Sequence, residues 1–181
     1  MKHAPKSAAK VMVLENGDPI AAETEAIQSR IRERAFELSQ SRPIDAHALY
    51  DWIMAESEVV SVPPMELLER DGVFELRFAV AGIDPYSVNV MVTPDQILLK
   101  SEYNHQHDSQ VGTVHRCDFK SATIFRSVNM PQRVDVNSVT VDFFDGILLI
   151  SAMKEGADDA GLKRATSARK APAKKNRAKL P

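Results

Sequence analysis

Residues 139–152 read VTVDFFDGILLISA, two apolar-rich runs that meet across Asp145-Gly146. Alternation puts Val139, Val141 and Phe143 on one face of an extended chain. Asp-Gly suits a tight hairpin turn, because both central positions of such a turn need positive φ. Ile147 to Ile150 then carries β-branched and Leu side chains onward, so the stretch predicts a buried β-hairpin.

The preceding segments have the same character. Val73 to Val80 places Phe74, Leu76, Phe78 and Val80 on one face against Glu75 and Arg77 on the other, and Gly82 and Pro85 break the run. Val88, Val90 and Val92 alternate again, Pro94-Asp95 turns the chain, and Ile97 to Lys100 continues as a strand. A polar loop, NHQHDSQVG, precedes the short segment Val114-His115-Arg116-Cys117 and a further strand near Thr123 to Val128. Closely spaced strands with turn signals and no helical pattern between them predict a mainly β domain, an antiparallel β-sandwich.

Upstream the period changes. Ile27, Ile31, Ala35 and Leu38 recur at helical spacing, with Glu23 and Glu25 read as the acids of a first turn. Arg42-Pro43 should end this helix, Asp45 can cap a second, and Leu49, Trp52, Ile53 and Val59 or Val60 give that one an apolar face. The pair is expected to form a helical hairpin over 23–60, after a mobile segment at 1–22. Ser61 to Pro64 is a linker into the β region.

With 181 residues the chain can build one well-packed domain with appendages. Cys117, the single cysteine, cannot form an internal disulfide, and Val11 to Leu14 is too short an apolar run for a signal core or a membrane span, so the expected location is the cytoplasm, with no membrane partner. Eight of the 23 basic residues lie in 163–181, which holds no acid; the remaining fifteen face all 25 acids, giving a body of -10 and a tail of +8. That tail, 154–181 in full, is expected to be disordered. No GxxxxGK[ST], HExxH or GxSxG pattern occurs, so nothing in the sequence points to nucleotide use or hydrolysis, and no cofactor is expected.

The β segments, in order, resemble the α-crystallin domain of the small heat-shock (Hsp20) proteins. The hallmark of that family is Ala, three residues, then Asn-Gly-Val-Leu; here Val141 is followed by Asp145-Gly146-Ile147-Leu148. Ala81-Gly82-Ile83-Asp84-Pro85 resembles the family's Pro-Gly-Val turn, and Arg126-Ser127-Val128-Asn129-Met130-Pro131 its Arg-Ser-Phe-Thr-Leu-Pro. The resemblance covers 65–153 and implies an immunoglobulin-like sandwich. Residues 31–38, IRERAFEL, and Asp51, Trp52, Ala55 and Glu56 resemble a small bacterial domain of the DUF2934 type, which brings no known activity.

What the Hsp20 resemblance implies is an ATP-independent holdase, a non-enzyme whose partners are partly unfolded client proteins. The implied client groove would be lined by Val88, Val90, Val92, Val139 and Val141, although each of these valines is equally a sandwich-core position. Val114, His115, Arg116 and Cys117 align with the family's exchanged strand, which implies a homodimer or small oligomer, and Arg126 with an interface arginine; read by itself, Arg126 is a solvated charge. Family members usually carry an Ile-x-Ile peptide after the domain, a pattern not found in 154–181, so large assemblies are not expected. His105, His107 and His115 lack the Cys or carboxylate companions of a structural metal site, and no metal is assigned to them. The competing function is nucleic-acid or partner binding through the basic tail, or docking through Trp52 and Phe36 of the helical hairpin.

Overall fold

The computed structural model describes residues 9–41, 48–106, 112–117 and 120–157. The capping Asp45, the Arg42-Pro43 stop and the basic tail beyond 157 lie outside the described residues. Among the described residues two α-helices, α1 (Asp18–Gln40) and α2 (Ala48–Val59), accompany nine strands: β1 (Lys10–Val13), β2 (Val60–Ser61), β3 (Met65–Arg70), β4 (Val73–Ala79), β5 (Asn89–Val92), β6 (Gln96–Tyr103), β7 (Ala122–Asn129), β8 (Thr140–Phe144) and β9 (Ile147–Met153). They form a β-sandwich of two sheets, ordered β1-β5-β6-β7-β2 and β3-β4-β9-β8.

The deciding hairpin is present as read. Phe144 pairs with Ile147 across Asp145 and Gly146, which take φ of 49° and 76°. The same chemistry recurs at Asp71-Gly72, φ 51° and 77°, where Arg70 pairs with Val73 to close the β3–β4 hairpin. Between the sheets, Phe74, Leu76, Phe78 and Val80 meet Val88, Val90, Val92, Ile97, Leu99, Val141, Leu148 and Ile150 in one buried cluster. The alternation in β4 and β5 thus sets the core directly.

β6 is buried on both faces, since Ile97, Leu98 and Leu99 are all inaccessible. A strand covered on both sides reads as an unbroken apolar run, and the cover here is α1. Ile20 packs on Met91 and Leu98, while Ile27 and Ile31 meet Ala55 and Val60, with Phe125 of β7 touching both groups. Polar contacts fix the helix on the sheet: Lys100 Nζ lies 2.7 Å from Glu23 Oε2, and Arg30 donates to Thr123 Oγ1 at 2.8 Å, which donates to Glu102 at 2.9 Å. Arg34 joins the two helices, reaching Glu58 at 2.6 Å and Glu37 at 2.7 Å; hydrogen bonding to Glu58 first, then Glu37, raises the guanidinium above its ordinary pKa.

Three expectations need correction. Ordered structure starts before residue 23: Lys10–Val13 is a strand, and α1 begins at Asp18 with Pro19 in its first turn, where the missing N–H costs nothing. Glu23 therefore sits beyond the first turn and serves as the partner of Lys100. The apolar face of α2 is also narrower than its sequence suggests. Trp52, Val59 and Val60 do pack in the hairpin cluster, but Leu49 is 70% and Ile53 53% exposed, because small Ala55 makes the close approach to α1.

Candidate functional site

The valines of and beside β5 and β8 come together in one apolar cluster. Val88, Val90 and Val92 are fully buried, Val141 is nearly so, and Val139 is half-buried against the same cluster. Val88, Val90, Val92 and Val141 are core, and Val139 lies at its margin. Two strand edges flank them. β8 is the edge of its sheet, with Phe144 42% exposed at its end. The edge of β5 is paired in parallel with β1, Val11 opposite Val90 and Val13 opposite Val92.

The turn signature packs the tip of the β8–β9 hairpin on the segment that follows β4. Leu148 is fully buried, and the Val80 N–H donates to the Gly146 carbonyl at 2.8 Å. A Cβ on Gly146 would stand 3.0 Å from Ala81 Cβ and 3.1 Å from Ala81 Cα, so the turn needs glycine for space as well as for φ.

The segment aligned with the exchanged strand is exposed and takes no strand within its own subunit. Val114, His115 and Arg116 lie open to solvent, and half-buried Cys117 places Sγ 3.2 Å from His105 Nε2. Arg126 donates to the Pro63 carbonyl at 2.7 Å, tying β7 to the linker that enters β3. His107 lies outside the described residues, and among the described residues no three His, Cys, Asp or Glu side chains group as a metal site.

Two further surfaces stand out, of which the sequence offers only the hairpin, through Trp52 and Phe36. Phe36 is 65% exposed, and with Leu49, Tyr50 and Ile53 it puts four large side chains on the outside of the helical hairpin. Leu49 and Ile53 read as part of a buried face because amphipathic patterns do not say which apolar positions find a neighbour. The second is a cleft of about 570 Å³ where the hairpin meets the sandwich, lined by Val60, Val62, Pro63, Pro64, Val80 and Ile83 among others.

The Hsp20/alpha crystallin family model matches residues 66–166, more than half of the chain and nearly all of the sandwich. The chain belongs to the Hsp20/alpha crystallin family. Members of this family are small heat-shock chaperones rather than enzymes, which supports a chaperone role in general. Among solved structures the chain is similar to HSP18.5 from E. histolytica, with 20% identity, a TM-score of 0.47, and 55% of this chain and 93% of that one covered. It is similar also to a small heat-shock protein from Xylella fastidiosa, at 24% identity and a TM-score of 0.47, covering 54% of this chain and 90% of that one. The hspA from Xanthomonas axonopodis gives 21% identity, a TM-score of 0.46, and 54% and 98% coverage. Comparison with curated proteins finds no match.

Proposed function

We propose that this Hsp20 protein is an ATP-independent holdase that binds partly unfolded proteins and keeps them from aggregating. The observation that carries the reading is the exposed apolar surface of the hairpin, Phe36, Leu49, Tyr50 and Ile53, held on a sandwich of the chaperone family. Fully burying one such side chain is worth ~1.5–3 kcal/mol, so a few contacts give several kcal/mol before association costs. Binding of this kind is weak singly, tolerant of client sequence, and additive across contacts. Val88, Val90, Val92 and Val141 form the floor of a second client surface whose rim is Val139, Phe144 and the β5 edge. Replacing Leu49 and Ile53 together with Ser should weaken capture of a heat-unfolded client, read as co-elution in gel filtration, while leaving the sandwich intact by circular dichroism. Undiminished capture would remove the hairpin from the client surface.

The holdase works, in this reading, as a homodimer in the cytoplasm. The support is the exposed run 112–116, which forms no strand in its own subunit, together with the sheet edges at β3 and β8, where a strand from a second copy could pair. Sedimentation should give about twice the 20.1 kDa chain mass, falling when 112–117 is replaced by a Gly-Ser linker of equal length. A concentration-independent monomer would contradict the dimer.

A further inference from the structure

The cleft between the helical hairpin and the sandwich differs in chemistry from the surface around it. Its floor is apolar: Val60, Val80, Ile83 and Ile124 line it and are themselves buried. Among the described residues that line it none is acidic, and one, Lys120, is a cation. The body that holds it has 25 acids against 15 bases, so a cleft with a positive charge alone is a local reversal of sign. Lys120 Nζ donates to the Ser57 carbonyl at 3.4 Å, one long contact for an ammonium with three donors, and so bridges the segment before β7 and the end of α2.

The walls are fixed from within the chain. Val60 and Ser61 pair with Thr123 and Ile124, Arg126 donates to the Pro63 carbonyl at 2.7 Å, and the Ala79 N–H donates to the Pro64 carbonyl at 2.9 Å. The cleft is therefore formed before a ligand arrives, and binding need not order it. The same bonds decide what does not fit. Pro63 and Pro64 have no N–H, and the N–H groups of Ala79, Val80 and Ile83 already donate inside the chain, to Pro64, Gly146 and Val80. An extended polypeptide finds no run of backbone donors on these walls. What the cleft offers is apolar contact and one positive charge, in a space of about 570 Å³, within the ~300–1,000 Å³ of small-molecule sites.

We propose that this cleft binds a small amphipathic carboxylate, a free medium-chain fatty acid, with the alkyl chain on the Val60, Val80, Ile83 and Ile124 floor and the carboxylate on Lys120 Nζ. The floor selects for a chain, each buried methylene adding up to about fourfold in affinity. The ammonium selects the acid over the matching alcohol. The proposal is independent of the holdase reading, because the lining belongs to neither client surface.

The test is calorimetric titration of the full chain with octanoate, below its micelle concentration. One saturable site is expected, with butyrate weaker by up to about fourfold per missing methylene and 1-octanol weaker by about tenfold. Two substitutions at exposed positions leave the core untouched: Lys120→Gln removes the charge, and Val62→Asp, at a side chain 55% exposed, sets a carboxylate on the wall. Each should weaken octanoate about tenfold, the loss of one charge-assisted contact, and Lys120→Arg should retain it. Amide shifts on adding octanoate should fall at 60–62, 79–83 and 120–124. No saturable binding, equal affinity for octanoate and 1-octanol, or an octanoate affinity unchanged in both Lys120→Gln and Val62→Asp would overturn the proposal. Shifts confined to Leu49, Tyr50 and Ile53, or to the basic run 163–181, would overturn it too, by placing the ligand on the exposed hairpin or the tail.

Discussion

Phe78→Ala is expected to lower the unfolding free energy by about 3–5 kcal/mol, the range for emptying a fully buried aromatic position. Phe78 lies near the end of β4, pairs with Leu148 of β9 and Met65 of β3, and is wholly inaccessible. Its ring faces the strands of the other sheet, so truncation leaves a cavity between two sheets that neighbouring strands cannot fill without breaking register. Urea unfolding followed by far-ultraviolet circular dichroism reads the loss. Phe144→Ala supplies the comparison: that ring is 42% exposed on an edge strand, and removing it should cost under about 1 kcal/mol. Equal losses at the two positions would mean that the core is not organised around the inner face of β4.

Gly146→Val should cost about 2–4 kcal/mol, by two effects that a second variant separates. A branched side chain at φ 76° is strained by roughly 1–2 kcal/mol. The added Cβ also meets Ala81 at 3.0 Å, backbone included, so either the hairpin or the Ala81-Gly82 turn must shift. Gly82→Ala has the same left-handed backbone, φ 83°, but open space around its Cβ, and should show the conformational term alone, about 1 kcal/mol. A Gly146→Val loss no larger than the Gly82→Ala loss would show that the turn does not pack on Ala81.

The strands were legible because each carries a period-two pattern that only one face can bury, as in Phe74-Leu76-Phe78-Val80 and Val88-Val90-Val92. The Asp145-Gly146 turn was legible because few dipeptides accept two positive φ values. α1 was legible from Ile27, Ile31, Ala35 and Leu38, although its start was misplaced: Glu23 and Glu25 look like the acids of a first turn, and a carboxylate that serves a lysine on a distant strand looks the same in sequence as one serving a helix terminus. β1 carried almost no local signal. Four residues, Lys-Val-Met-Val, become a strand only because β5 offers an unpaired edge, and that offer is made by tertiary structure. Alternation likewise shows that Val88, Val90 and Val92 share a face without showing whether that face meets solvent or the opposite sheet, and only the packed structure makes them floor rather than rim. Arg126 illustrates the same limit, since its partner is a backbone carbonyl 63 residues away.

Light scattering from a thermally aggregating protein, with and without this chain and with no nucleotide added, tests the central claim most directly. Suppression at near-stoichiometric ratios is the result expected of a holdase whose apolar hairpin and groove rim engage clients. No suppression at any temperature at which the chain remains folded would contradict it, and would leave the sandwich as a dimerisation or docking module.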